Sequence, residues 1–259
     1  MALNTYSKFY YITPISDDNF YLNFNEGAGE LTATIRIGEY AISDVAEQVE
    51  AALNSIGLDT YTVTFDRIER LFTISSTGTF SLLISTGSQV GLDVFTLLGF
   101  TGADTSVASS HTSNQAAGSV YEPQFKLQDY VSQEDYREAA SASIAETANG
   151  LVEVVSFGQK KFIEMNIMFC TDIFQPPSGP IVNNASGVTD IRNFLRFCIN
   201  KYPLEFIENK ANPATFEKVL LEKTKSSSTG TGYKLDEMIN KNLPGYFETG
   251  LLTFRLIEV

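Results

Sequence analysis

The stretch that decides the fold runs from residue 30 to residue 104. It begins with ELTATIRIGEY at 30–40 and closes with VFTLLGFTGAD at 94–104. In the first segment apolar and polar residues alternate, which is typical of a strand with one buried face. The expected buried face consists of Leu31, Ala33, Ile35 and Ile37. These parts supply a small hydrophobic core, but they include no set of residues able to carry out chemistry.

An amphipathic helix is predicted directly after this strand. Ser43 stands where an N-cap residue is expected, and Asp44 beside it suits the positive end of the helix dipole. Gly57 is well placed to end the helix. The apolar stripe that repeats at helical spacing consists of Val45, Val49, Ala52, Leu53 and Ile56.

Further strands and one short helix complete the first half. YTVTFD at 61–66 and RLFTIS at 70–75 predict a hairpin, because a short polar segment joins them. TFSLLIS at 79–85 predicts another strand, and a short helix through 92–98 is expected to end at Gly99. Two aromatic-rich strands, SKFYYI and NFYLNF, are predicted before residue 25. This half is expected to be a small α+β module of residues 1–105.

The next segment has the composition of a linker. Residues 101–120 are small and polar, with almost no large apolar side chain. We therefore interpret 106–120 as a polar linker, and residues 121–259 as the second domain.

The second half also predicts a β-rich domain. The Ala-rich segment 134–149 permits a helix, and LVEVVSFGQKKFIEMNIMFC at 151–170 predicts two strands meeting at Gly158. A helix before Pro203 and a strand in 248–259 follow. The stripe of that helix consists of Ile191, Phe194, Leu195 and Cys198. The predicted fold class is α+β, mainly β, with two β-rich domains that each pack a helix on a sheet.

Composition limits the classes of partner. The chain has 259 residues, 43% of them hydrophobic, and a formal net charge of −13. Both halves are acidic, so nucleic acid and anionic membranes are repelled, and we predict no specific nucleic-acid binding. No apolar run approaches the ~20 residues needed to span a bilayer, so we predict no membrane insertion. No secretory signal follows Met1, and assembly in a reducing cytoplasm is expected.

The cysteines and the histidine predict no catalytic or metal site. Cys170 and Cys198 are separated by 28 positions and are best interpreted as small buried hydrophobes, with a disulfide or redox pair as the alternative. His111 is the only histidine, so any hydrolytic triad would require it, and nothing near it in the sequence supplies an orienting partner. One His and two separated Cys do not provide zinc-ligand spacing.

The acidic pairs and glycine-rich segments were weighed as other sources of chemistry. The pairs Asp17–Asp18, Glu134–Asp135 and Asp236–Glu237 lie in polar segments where solvation explains them, and the chain lacks the Trp platforms common in glycosidases. The glycines of EGAGE and TGTGYKLDE do not match dinucleotide or phosphate loops, so no cofactor is expected. We predict a protein without catalytic, cofactor or metal residues, with an enzyme as a minor alternative.

The first half resembles a module of structural proteins from tailed bacteriophages and large DNA viruses. The resemblance covers most of residues 8–104 and rests on a pattern of residue types. The segments that carry it are FNEGAGELTATIRIGEY at 24–40, DVAEQVEAALN at 44–54, YTVTFD at 61–66, RLFTIS at 70–75 and LLGFTGAD at 97–104.

The second half is similar to phage tail-ring proteins, which include distal-tail, tail-tube-like and tail-completion subunits. The segments involved are GLVEVVSFGQKKFIEMNIMF at 150–169, DIRNFLRFCINKYPLEFIEN at 190–209 and YFETGLLTFRLIEV at 246–259. This resemblance implies a β-sandwich or barrel with a flanking helix, subunits that close into hexameric or related rings, and no catalytic residues.

Together the two resemblances imply a non-enzymatic virion protein in the tail, the baseplate or the head–tail connection. The expected partners are further copies of the chain and neighbouring tail, baseplate or neck proteins. Loops 171–189 and 222–245 are candidate contact segments, although solvated surface loops would have the same composition.

The alternative function is a receptor- or glycan-binding module of a fibre or baseplate. Tyr10, Tyr11, Phe20 and Tyr21 would form its aromatic platform. Packing of these rings in the core explains the same pattern.

Overall fold

A computed structural model of the chain describes residues 8–121, 130–146, 152–168, 170, 188–208, 212 and 214–257. The fold is α+β and mainly β, as predicted. Elements of the first half are β1 (Lys8–Tyr11), β2 (Tyr21–Asn25), β3 (Glu30–Thr34), α1 (Ile42–Ile56), β4 (Tyr61–Asp66), β5 (Leu71–Leu82), α2 (Phe95–Leu98), β6 (Ala108–Thr112) and β7 (Ser119–Tyr121). Elements of the second half are β8 (Tyr130–Glu146), β9 (Val152–Met168), α3 (Val188–Ile199), β10 (Leu204–Ile207), β11 (Glu217–Thr224), β12 (Asp236–Glu237), a 3₁₀ turn (Met238–Lys241), β13 (Phe247–Glu248) and β14 (Leu251–Leu256).

The small antiparallel sheet of the first half has the order β3-β2-β5-β4, with β6 also paired to β5. The predicted 61–75 hairpin is confirmed as β4 and β5, but the strand expected at 79–85 is the continuation of β5. Helix α1 packs on this sheet through its buried Val45, Val49 and Leu53. Ile37 was expected to be buried and is 48% exposed, because the chain turns away at Gly38 to pair with Ile15.

Helix α1 begins two residues earlier than the sequence predicts. Its N-cap is Ala41, which makes no capping side-chain bond, and Ser43 lies within the first turn. A buried carboxylate from the second half, that of Glu205, instead accepts a hydrogen bond from the backbone N–H of Ser43 at 2.8 Å. The acceptor that an N-cap serine would supply therefore comes from a strand 162 positions away.

The segment interpreted as a linker is part of the first sheet. Residues 108–112 form β6, which pairs with β5 from Thr73↔Thr112 to Ser75↔Ser110. Hydroxyl pairs on the exposed face join the strands at Thr73–Thr112 and Ser75–Ser110, at 2.9 and 3.0 Å. The linker interpretation of 106–120 was wrong because residues 108–112 are held by backbone pairing with β5, and most side chains of this strand face solvent, where no apolar side chain is required.

A seven-stranded antiparallel sheet dominates the second half, in the order β7-β1-β10-β11-β14-β9-β8. It includes β1, so the N-terminal strand that was assigned to the first module belongs to this sheet. The predicted apolar stripe of α3 is confirmed, since Ile191, Phe194, Leu195 and Cys198 are all buried against it. The described strands form an open order with β7 and β8 at the edges, and closure into a sandwich or barrel stays a prediction.

Strand β1 separates the two hydrophobic cores. Phe9 pairs with Phe206 and belongs to the core under α3, with ring centroids 5.0 Å apart. Tyr10 pairs with Glu205 and points to the core of the first half. Since alternate residues of a strand face opposite sides, this part of the sheet is buried on both faces. The near-continuous apolar character of β1 and β10 follows from this position.

Strands β8 and β9 form one long hairpin rather than a helix and two short strands. β8 covers most of the segment in which a helix was permitted, and β9 is a single strand whose register against β8 shifts at Gly158. The β9 pairing with β14 covers only 162–166, whereas its pairing with β8 extends from Met168 to Val152. Residues 138–146 and 152–161 therefore pair only with each other among the described strands, and we name them the distal arm.

Glu205 is the charged residue that joins the two halves. Its side chain is fully buried, and its carboxylate oxygens lie 2.9 and 3.2 Å from Nε and Nη2 of Arg67, in the turn between β4 and β5. The Arg67 guanidinium also stacks 3.9 Å from the centroid of the Phe216 ring. Asp44 of α1 forms a second ion pair with Lys218 of β11.

We predict that Glu205→Gln lowers the free energy of unfolding by about 3–5 kcal/mol, because Arg67 and the first turn of α1 lose a buried negative partner. Equilibrium denaturation in urea measures the change. Glu248→Gln is the matched control: its 2.8 Å ion pair with Lys241 lies at the surface and should change stability by less than about 1 kcal/mol. Equal effects of the two substitutions would contradict this assignment.

Candidate functional site

A cleft of about 570 Å³ lies where the first half meets the seven-stranded sheet. The turn before β2 and the segment before α2 form one side, through Asp18, Asn19 and Asp93. The other side is formed by the end of β1, the chain entering β7 and helix α3. The cleft thus brings together residues from four distant parts of the sequence.

The polar side of the cleft is held in place by backbone hydrogen bonds. Asp93 accepts bonds from the N–H groups of Gly91 at 2.9 Å and Phe95 at 3.2 Å. Asn19 accepts a bond from the Ser16 N–H at 2.7 Å and donates to the Pro14 carbonyl at 3.3 Å. These bonds fix Asn19 and Asp93, whereas Asp18 lies at the exposed rim.

The opposite side of the cleft is aromatic. The rings of Tyr11 and Phe197 are half-buried, and their centroids lie 4.7 Å apart at an angle of 46°. Behind them, Phe194 and Tyr202 pack on the same pair of rings, which restricts their movement. Gly118 completes this wall at φ +62°, where a Cβ atom would lie 2.8 Å from the Tyr11 carbonyl oxygen.

The proposed aromatic platform is not one surface. Tyr10 is 1% exposed and its hydroxyl donates to the Arg67 carbonyl, so it is a core residue. Tyr11 lines the cleft. Phe20 and Tyr21 pack on each other with centroids 4.0 Å apart. The platform expectation therefore fails for Tyr10.

His111 is a buried residue of β6. Its Nε2 atom lies 2.9 Å from the Phe80 carbonyl oxygen and 3.4 Å from the Thr105 hydroxyl, and its ring packs edge-on against Phe80. These hydrogen bonds satisfy the buried Nε2 atom of His111.

The carboxylate pairs occupy three different environments. Asp17 and Asp18 are exposed in a turn, and the side chains of the pair at 134–135 lie outside the described residues. Asp236 is bound by Lys225 at 2.7 Å and Lys234 at 2.8 Å, and these hydrogen bonds lower its carboxyl pKa to about 2. This pair of lysines makes Asp236 a constitutively charged surface group.

Glu26 is a carboxylate with a structural function. It accepts hydrogen bonds from the backbone N–H groups of Leu58 and Asp59 and from the Tyr61 hydroxyl. Desolvation alone would raise its pKa, but these bonds outweigh desolvation and lower it. Glu26 thereby fixes the turn after α1 to the turn between β2 and β3.

Within the described ranges, no three His, Cys, Asp or Glu side chains are grouped so that they could hold a metal ion. Nor does that part of the chain contain a helix long and apolar enough to cross a membrane.

No protein-family model matches the sequence, and no curated protein matches it.

Sequence reasoning missed Asp93 and Phe197 as residues of the cleft. Asp93 precedes the short helix α2 and Phe197 lies beside the buried stripe of α3, so each has an ordinary local explanation. Their proximity depends on β1 joining the second sheet, which no local pattern indicates.

We predict that neither cysteine reacts in the folded protein. Cys170 and Cys198 are fully buried, and burial raises the pKa of the Cys198 thiol although Lys201 opposes the shift. Mass spectrometry after iodoacetamide treatment at pH 8 should find no alkylation in buffer and two modified thiols in guanidinium chloride. Rapid labelling of Cys198 in the native protein would contradict the described packing.

Proposed function

We propose that this protein is a non-enzymatic structural protein of a tailed-bacteriophage virion, which self-associates into a ring in the tail, the baseplate or the head–tail connection. Its partners would be further copies of itself and neighbouring virion proteins, and it would assemble in the host cytoplasm. The observation that carries the proposal is the β8–β9 hairpin.

The hairpin extends beyond the sheet that supports its base. The distal arm contains about ten residues of β9, which corresponds to about 33 Å of extended strand. An isolated two-stranded hairpin is marginally stable in water, so a long arm gains stability when another surface covers it. In the proposed ring, a neighbouring subunit covers the distal arm.

The outer edge of β8 offers the contact. Among the described strands β8 pairs with β9 alone, so between its register shifts near residues 132 and 141 alternate residues of β8 direct their backbone N–H and C=O groups away from the hairpin. Such an edge accepts a strand from another chain. In the proposed ring the edge pairs with a different surface of the next copy, so repeated addition is head-to-tail, which closes into a ring when the rotation permits.

Of the two loops predicted to contact partners, 222–245 is described by the structure and most of 171–189 is not. Residues 222–245 end β11 and contain β12 and the 3₁₀ turn, with exposed ion pairs such as Lys225–Asp236. Of the loop 171–189, residues 171–187 lie outside the described residues. The edge of β8 is therefore the contact for which the proposal has structural support.

We predict that shortening the arm abolishes ring formation. Ala139 and Lys160 are cross-strand partners, so replacing residues 140–159 by Asn-Gly closes a two-residue hairpin at the existing register. Mass photometry and negative-stain imaging should find rings for the full chain, with virion partners added if required, and monomers for the shortened chain. The 162–166 pairing with β14 remains, so the melting temperature should change little.

A pair of proline substitutions provides the matched control. Ser143 and Ile144 are adjacent in β8, so one N–H points to β9 and the other away from it. Of Ser143→Pro and Ile144→Pro, the substitution at the residue whose N–H points away from β9 should weaken assembly without removing a hydrogen bond to β9. The other substitution removes a hydrogen bond between the two strands. Rings from the shortened chain, or a full chain that stays monomeric with its virion partners present, would overturn the proposal.

A further inference from the structure

We infer that the cleft between the two halves is a binding site for a neutral saccharide of one or two sugar units. The cleft volume of about 570 Å³ lies within the ~300–1,000 Å³ range of small-ligand sites. This inference is independent of ring assembly, since the residues of the cleft do not belong to the β8–β9 hairpin.

The two walls match the two surfaces of a sugar. A pyranose ring presents a patch of C–H groups on one side and hydroxyl groups around its edge. Tyr11 and Phe197 provide an aromatic wall for the C–H patch, and their packing on Phe194 and Tyr202 holds them in position. Rigid aromatic side chains lose little entropy on binding, which favours affinity.

The polar wall consists of short side chains suited to hydroxyl groups. Asp18 supplies carboxylate acceptors at the rim, while Thr13 and Thr96 supply hydroxyls that can donate or accept. Asn19 and Asp93 are already oriented by backbone hydrogen bonds. A few fixed polar groups opposite an apolar wall are the usual composition of a small-molecule site.

The charges favour a neutral ligand over an organic cation. Among the described residues that line the cleft there is no Lys, Arg or His, and both Asp93 oxygens accept backbone N–H bonds. Of the carboxylates in this described lining, Asp18 is the one that is exposed at the rim. A single solvated carboxylate contributes little to binding a cation.

Saturation-transfer NMR on the full chain tests the inference. The probes are glucose, galactose, mannose, rhamnose and N-acetylglucosamine, with spermidine as the cationic probe. At least one sugar should receive saturation, and its affinity should fall at least about tenfold, or about 1.4 kcal/mol, in Ala116→Trp and by a smaller factor in Asp18→Ala. Both positions are exposed residues of the cleft, so the fold should tolerate either change.

Ser228→Trp is the matched control, because it adds the same indole to an exposed loop residue outside the cleft. It should leave sugar binding unchanged, and all three variants should keep the melting temperature of the unmodified chain. The inference is overturned if no sugar binds, if binding persists in both cleft variants, or if spermidine alone binds in a manner that Asp18→Ala removes.

Discussion

The buried carboxylate of Glu205 is the constraint on which the arrangement of the two halves depends. It lies on the face of β10 that points to the first half, beside Tyr10 on β1. There it binds the Arg67 guanidinium and the first turn of α1 together. A buried carboxylate is costly unless it is fully partnered, so this position is stable only when the first sheet, its helix and the second sheet meet in one geometry. The cleft lies at the boundary of the same two halves, because Asp18 and Asp93 of the first half and Phe197 of α3 all line it.

The sequence predicted those parts of the fold that local periodicity determines. The hairpin of β4 and β5, the buried face of α1 and the stripe of α3 are examples. In each of them one face of the element is buried, so apolar residues recur every 2 positions in a strand and every 3.6 positions in a helix. The overall class, α+β and mainly β, followed from the same patterns.

Other parts depend on contacts between distant residues, which periodicity does not contain. Residues 106–120 have the composition of a linker, yet β6 is held by backbone pairing with β5. Ser43 has the character of an N-cap, yet Glu205 supplies the acceptor. The Ala-rich segment permits a helix, but 130–146 is extended because it pairs with β9 along its length. The cleft was missed for the same reason, since its walls come from four separate segments.

The proposed ring requires the chain to join other chains along the edge of β8. Hydrogen–deuterium exchange of the intact chain, measured in dilute solution and after assembly into particles, tests it most directly. The account predicts fast exchange at alternate amides of residues 138–146 in dilute solution and strong protection of those amides after assembly. Equal exchange of these amides in both states would contradict it.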